Sequence, residues 1–290
     1  MGGGSFNARD FGLYSNSVGK VYDNSTGRVS NQVFTAERLK EVLNPRGVIR
    51  ECCNSDEHPN TIPVILGLDV TGSMGSACNE TAQALGQIMT KLYDKYKDIE
   101  FCIMGIGDFE CDDAPLQVSQ FESDVRIAQR IDDIYMEHGG GGNGYESYSA
   151  AWYFGLYKTK LDAFTKQGRK GIIITMGDEP LNPDLPAERI KQVLDERETG
   201  IVKTPELYKK ACEKFDIFHI SIDDTSSSYD WHRQGIERTF NPLLGERAKV
   251  STIDNLANTI VDCIDESLKT GTKQKLDEAM PINENGEVTW

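Results

Sequence analysis

The stretch Ile62-Pro63-Val64-Ile65-Leu66-Gly67-Leu68-Asp69-Val70-Thr71-Gly72-Ser73-Met74-Gly75 decides how the rest of the chain is read. It opens as a short apolar run and ends on a carboxylate. A run this short, bounded by turn residues, reads as a strand buried on both faces. Just beyond it, residues 76–96 carry Ala77, Ala84, Leu85, Ile88, Met89 and Leu92 at helical spacing. Strand, polar turn and helix together make the first unit of a parallel α/β sheet.

Working outward, the same alternation recurs. Apolar runs predict strands over 99–107, 171–176 and 216–222, with a short one at 249–251. Apolar periodicity predicts helices over 124–137, 145–164, 186–197 and 253–268. The expected fold is α/β and doubly wound, with a mostly parallel central sheet and helices on both faces. Residues 1–60 read as an N-terminal arm, pinned by Phe6, Phe11, Tyr14 and Tyr22, with a short helix at 36–43 and a polar loop at 44–61. Residues 61–270 form the main domain, with a proline-bearing insertion at about 180–210, and 271–290 read as a polar tail.

The bulk chemistry narrows the function. With 31 basic and 46 acidic residues the formal charge is −15, a surface that repels phosphate backbones, so no nucleic acid is expected as a partner. The seven cysteines have no C-x-x-C spacing and read as free thiols in a reducing compartment. Cys102 and Cys263 sit in apolar patterns, as core filler. No apolar run is long enough to span a membrane, and the first residues lack a signal-peptide pattern. The expectation is a soluble cytoplasmic protein.

In open α/β sheets, ligands bind beyond the carboxyl ends of the strands. The loops there are Asp69 to Gly75, Asp108-Phe109-Glu110, the glycine-rich Gly139-Gly140-Gly141-Gly142-Asn143, and Gly177-Asp178-Glu179-Pro180. Three of them present carboxylates. Carboxylate, hydroxyl and amide oxygens suit hard cations.

The Asp69-x-Thr71-x-Ser73 loop resembles the D-x-[ST]-x-S signature of von Willebrand factor A domains, their metal-ion-dependent adhesion site. By element order the resemblance runs over roughly residues 60–268. It implies that Thr71 and Ser73 would bind a metal directly, while Asp69 orients the site through water. The family's later aspartate falls to Asp178, one position beyond its usual Thr-Asp-Gly context, with Glu179 open as a substitute. The family's glycine-loop threonine is absent. The loop is similar to that of a subset, including domains linked to alpha-kinases, in which Gly-Gly-Gly-Asp is followed by a Glu. Asn143 then takes the ligand position and Glu146 follows it. The resemblance implies Mg²⁺, or Mn²⁺ or Ca²⁺, as the ion, and a protein partner offering an acidic side chain. Intracellular members often work in complexes alongside AAA+ ATPases, although this chain has no ATPase motif of its own.

Plainer readings stand beside these. Asp69 and Asp178 could cap the helices that follow them, and Thr71 and Ser73 could be N-caps. Asn143 and Glu146 match a capping box. Asp108 reads equally as a turn residue, His138 as a surface residue, and His58, His219 and His232 form no constellation in sequence. Two alternatives to a binding module remain. One is a metal-dependent hydrolase, which would need a base such as Glu110, Asp112 or Glu179. The other is an assembly subunit with a vestigial site. An enzyme is the less favoured reading, since no phosphate-cradling loop or nucleophile elbow is present.

Overall fold

The computed structural model describes residues 4–23, 25, 28–29, 33–137, 143–225 and 227–279. Six strands build the central sheet: β1 Ile62–Asp69, β2 Ile99–Ile106, β3 Leu116–Glu122, β4 Gly171–Gly177, β5 Phe215–Ile222 and β6 Ala248–Ser251. Their order across the sheet is β3-β2-β1-β4-β5-β6. Neighbours are parallel except β3, which runs antiparallel to β2. This is a doubly wound, mostly parallel α/β sheet with helices on both faces.

The helices are α1 Ala8–Ser17, α2 Gly75–Gln83, α3 Leu85–Lys95, α4 Arg126–Asp132, α5 Ser149–Lys158, α6 Asp162–Thr165, α7 Ala187–Leu194, α8 Thr204–Lys214, α9 Tyr229–Leu244 and α10 Leu256–Ala279. The two-residue period of a strand sorts the apolar runs onto two faces. Val64, Leu66 and Leu68 join Ile172, Ile174 and Met176 under α3, α4 and α10. Ile65, Ile173, Phe215 and Ile217 lie on the opposite face, under α5, α8 and α9. Both faces are therefore covered, which is why the strands read as unbroken apolar runs.

Several elements differ from the sequence reading. The expected helix at 36–43 is a single 3-10 turn, Glu41–Leu43. The local periodicity is overridden there, because Ala36 bridges to Tyr135 and an isolated short helix is marginal. The 76–96 helix is two helices meeting at Ala84, and the 124–137 helix stops at Asp132. The 145–164 helix begins only at Ser149, because Glu146 is held in a bridge to Leu181. It ends at Lys158, because Thr159–Leu161 pairs in parallel with Arg50–Cys52, inside the stretch read as loop.

Strand β3 went unread because Gln117, Ser119 and Glu122 interrupt its apolar pattern. Two of those polar groups are buried with partners. Gln117 Nε2 donates to Tyr135 O at 2.7 Å, and Ser119 Oγ accepts from Ile103 N at 2.8 Å. A satisfied polar group can occupy a core position.

The N-terminal arm packs against α3, α4 and the end of β3. Phe6 and Phe11 are buried against Tyr93 and Tyr22, and Phe6 N donates to Ser123 O at 2.7 Å. All seven cysteines are free, with Cys102 and Cys263 fully buried. No helix among the described residues is long and apolar enough to cross a membrane. Of the expected polar tail, 280–290 lies outside the described residues.

Candidate functional site

Strand order reverses between β1 and β4, which are neighbours although far apart in sequence, and the crevice beyond their carboxyl ends is where a doubly wound sheet holds ligands. Register places Leu68 beside Met176. Asp69 therefore ends β1 level with Gly177, the last residue of β4, and Asp178 stands directly above. The extra residue that displaced Asp178 from the usual pattern is Gly177, which continues the strand by pairing with Ser221.

Four of the expected side chains meet there in one hydrogen-bonded chain. Thr71 Oγ1 donates to Asp69 Oδ1 at 2.6 Å, and Thr71 N reaches the same oxygen at 3.0 Å. The hydroxyls of Thr71 and Ser73 are 3.0 Å apart, and Ser73 Oγ donates to Asp178 Oδ1 at 3.1 Å. The other oxygen of Asp178 accepts from Ser228 N at 2.5 Å, just before α9. Ser228 Oγ closes the ring onto Ser73 O at 3.2 Å. Asp69, Thr71 and Asp178 are buried.

Simple capping does not describe these residues. Helix α2 begins after Met74 with no side-chain cap, and α5 begins after Tyr148 with none. Thr71 spends its hydroxyl on Asp69. Asn143 and Glu146 precede α5 by several residues, so they do not form its capping box. Asp178 does engage the start of α9 through Ser228 N, where a helix N-terminus favours an anion.

Asn143 is placed differently from the other four. Its Nδ2 donates to Asp108 Oδ2 at 2.6 Å, tying the end of the glycine loop to the loop after β2. Asp108 also accepts from Glu110 N at 2.8 Å. His138 and Gly139 to Gly142 lie outside the described residues. Glu146 is buried, with Oε2 lacking a hydrogen-bond partner. Glu179 faces His232, with Oε2 and Nδ1 2.9 Å apart.

Tyr148, which sequence reasoning did not single out, is central to the site. Its Oη donates to Asp69 Oδ2 at 2.6 Å and accepts from Glu179 N at 3.3 Å. Gly177 makes that approach possible, since a Cβ there would sit 2.0 Å from Tyr148 Oη and 2.8 Å from Asp69 Oδ2. The one signal available in sequence was the glycine between Met176 and Asp178.

The electrostatics are those of crowded acids. Burial first, then the nearby Asp178 charge, raises the pKa of Asp69. Burial likewise raises that of Asp178, against the hydrogen bonds from Ser228 and Ser73. Glu146 is pushed far above the usual carboxylate range by burial and then by Asp69. Burial, with Asp178 and Asp69 behind it, carries Glu179 up to about 8. Each shift states that burial, with the neighbouring acids behind it, favours the protonated form of these carboxyls.

The donor set fits a hard divalent ion. Among the described residues, no group of three or more His, Cys, Asp or Glu side chains is placed to hold a metal. A cation here would rest on two carboxylates and two hydroxyls, a set that suits Mg²⁺, which keeps several of its waters.

No family model matches the chain, and no curated protein matches it. Among solved structures, it is similar to the pilus adhesin SpaC of Lactobacillus rhamnosus GG in its open conformation, at 12% identity and a TM-score of 0.46 over 77% of this chain. The chain spans 31% of that adhesin's length. It is also similar to the SpRpn10 VWA domain, at 12% identity and a TM-score of 0.43, covering 69% of this chain and 95% of that one. At such scores the fold rests on the chain's own strand order and register.

Proposed function

We propose that this chain is a metal-dependent protein-binding module of the von Willebrand A type. In this reading a Mg²⁺-class ion, Mn²⁺ or Ca²⁺ included, is held by Asp69, Thr71, Ser73 and Asp178. The observation that carries the reading is the chain of hydrogen bonds from Asp69 through Thr71 and Ser73 to Asp178, which gathers four oxygen-bearing side chains from two loops at the switch point. Separate structural roles for these residues would not require them to converge.

The bound ion would supply a Lewis-acidic position for a carboxylate from a partner protein. The chain's own residues do the rest. Thr71 and Ser73 offer neutral oxygens, so the site adds little charge of its own beyond Asp69 and Asp178 and leaves the ion able to accept another anion. Helix α9 begins beside Asp178, and Trp231 on its first turn is 90% exposed, an aromatic contact next to the docking face. Asn143, the remaining member of the expected ligand set, belongs to this reading as a ligand through its amide Oδ1, since its bond to Asp108 is made by Nδ2. Cytoplasmic placement and a complex with an AAA+ ATPase belong to the reading by resemblance alone.

The test is capture of a partner by the wild type, Asp69→Ala and Ser73→Ala, in Mg²⁺ and in EDTA, with thermal melts as the folding control. Binding should vanish for Asp69→Ala and in EDTA, and weaken for Ser73→Ala, where water can replace a neutral ligand. Binding that survives in both variants refutes the reading. Mn²⁺-dependent phosphoester hydrolysis would replace it with the hydrolase alternative, for which Glu179 beside His232 is a base within reach.

A further inference from the structure

We propose that residues 196–201, between α7 and α8, form a second docking site together with the cleft beside them. The occupant is an uncharged, extended segment of another protein, which pairs with 196–201 as a β-strand and sets one tyrosine-like side chain in the cleft. The site needs no metal and stands apart from the reading above.

The segment runs like a strand but has no ladder. Among the described residues, none of 196–201 bonds its backbone to another backbone group. Its side chains nevertheless alternate. Glu196 and Glu198 are half-buried, while Asp195, Arg197 and Thr199 are exposed, which is the two-residue period of a strand. The inward pair pins the segment onto α5. Lys158 Nζ donates to Glu196 Oε1 at 2.5 Å, and Tyr153 Oη donates to Glu198 Oε1 at 2.5 Å, with Lys158 and Tyr153 both buried. The segment then leads straight into the ribbon in which Val202 and Lys203 pair with Leu185 and Asp184. A fixed, exposed stretch of unpaired backbone is a template for one more strand.

Residues 198–203 also form one side of a cleft of about 170 Å³, closed by Tyr157 of α5 and by Glu206, Leu207 and Lys210 of α8. Small-molecule sites hold roughly 300–1,000 Å³, so this cleft suits a single side chain. Ile201 and Tyr157 stand 58% and 46% exposed beside buried Leu207, while Glu206 and Lys210 are exposed on α8. An aromatic body with a polar tip matches both kinds of wall. The charges select the partner. Lys203 pairs with Asp184 and Lys158 with Glu196, and Arg197 and Lys210 balance Glu198 and Glu206. The patch is therefore neutral in a chain of formal charge −15. An uncharged strand can approach it, whereas a second copy of the chain brings its own −15 and is repelled.

The experiment selects a phage-displayed random peptide library on the full chain in EDTA, so that its outcome is separate from that of the metal reading. Selection should enrich uncharged peptides of high strand propensity with one Tyr or Trp. Synthetic copies of them should slow amide hydrogen exchange across 197–201 at least tenfold. Ile201→Pro, which removes a backbone donor at an exposed position, should weaken their binding about tenfold. Tyr157→Ser, which takes away a cleft wall and leaves the backbone intact, should do the same and serves if Ile201→Pro does not fold. The proposal is overturned if no peptide is enriched, if enriched peptides leave 197–201 unprotected, or if both variants bind them as wild type does. Slow exchange of these amides in the free monomer overturns the unpaired backbone on which it stands. Self-association of the chain that protects the same amides overturns the assignment to another protein.

Discussion

Replacing Asp69 by Asn separates a functional carboxylate from a structural one. The side chain keeps its size. Its amide oxygen can still accept from Thr71 N and Thr71 Oγ1, now 3.0 and 2.6 Å from Oδ1. On the other side the amide nitrogen meets Tyr148 Oη, which can reverse and accept. Three charge-assisted bonds become neutral ones, a loss of about 1 kcal/mol each at most. Against this, the variant no longer buries a second negative charge beside Asp178, the cause, after burial itself, of the raised pKa of Asp69. The two effects oppose each other, so the metal-free variant should lie within roughly 1–2 kcal/mol of wild type.

The pH dependence has a definite sign. A carboxyl whose folded pKa is raised gives stability that is present below its unfolded pKa and lost as pH rises through the folded one. Metal-free Asp69→Asn should therefore gain on wild type as pH rises from about 4 toward neutrality. Mg²⁺ should do the reverse. At a hundred times its dissociation constant it should stabilise wild type by about 2.7 kcal/mol, roughly 5–10 °C in melting temperature for a domain this size. Thermal melts with and without MgCl₂ at several pH values read both effects. The reasoning is refuted if Asp69→Asn keeps the Mg²⁺-dependent rise.

Two further substitutions test the surroundings of the site. Gly177→Ala sets a methyl group 2.0 Å from Tyr148 Oη, a position it cannot share, so stability should fall by about 2–5 kcal/mol through overpacking and the lost bond to Asp69; a denaturant midpoint near wild type would show that the approach is not tight. His219 is fully buried, and burial holds its pKa down at about 3, so the unfolded chain takes up a proton near pH 6.5 that the folded chain refuses; its stability contribution is lost as pH falls below that value. His219→Phe should remove about 1.4 kcal/mol of acid destabilisation per pH unit between roughly pH 6 and 4, measured as the difference between the two chains' unfolding free energies in urea, and parallel pH profiles would contradict the assignment.

Some of this protein is written locally. The run Ile62 to Leu68 is apolar at every position but Gly67, and a strand buried on both faces in a parallel sheet demands such a run. The turn that follows carries Asp69, Thr71 and Ser73 within five residues, so those three needed only the strand to be recognised for their meeting to follow. Asp178 was legible as the first carboxylate after another apolar run. The short helix expected at 36–43, by contrast, had a local pattern and little tertiary support: Ala36 took an extended bridge to Tyr135, and only Glu41–Leu43 kept a 3-10 turn.

Tertiary structure alone decided the rest, because those features depend on contacts whose partners lie far away in the chain. Strand β3 hides its place in the sheet behind Gln117 and Ser119, which are satisfied by Tyr135 and Ile103 and so cost little to bury. Nothing local marks Tyr148 as the residue that reaches Asp69 across 79 positions. That meeting needs α5 to cross β1 and β4, and β4 to end on a residue with no side chain. Register in a parallel sheet is set by the packing of both faces at once. The sequence could therefore name the acids at the strand ends, while only the folded sheet could say which oxygen faces which.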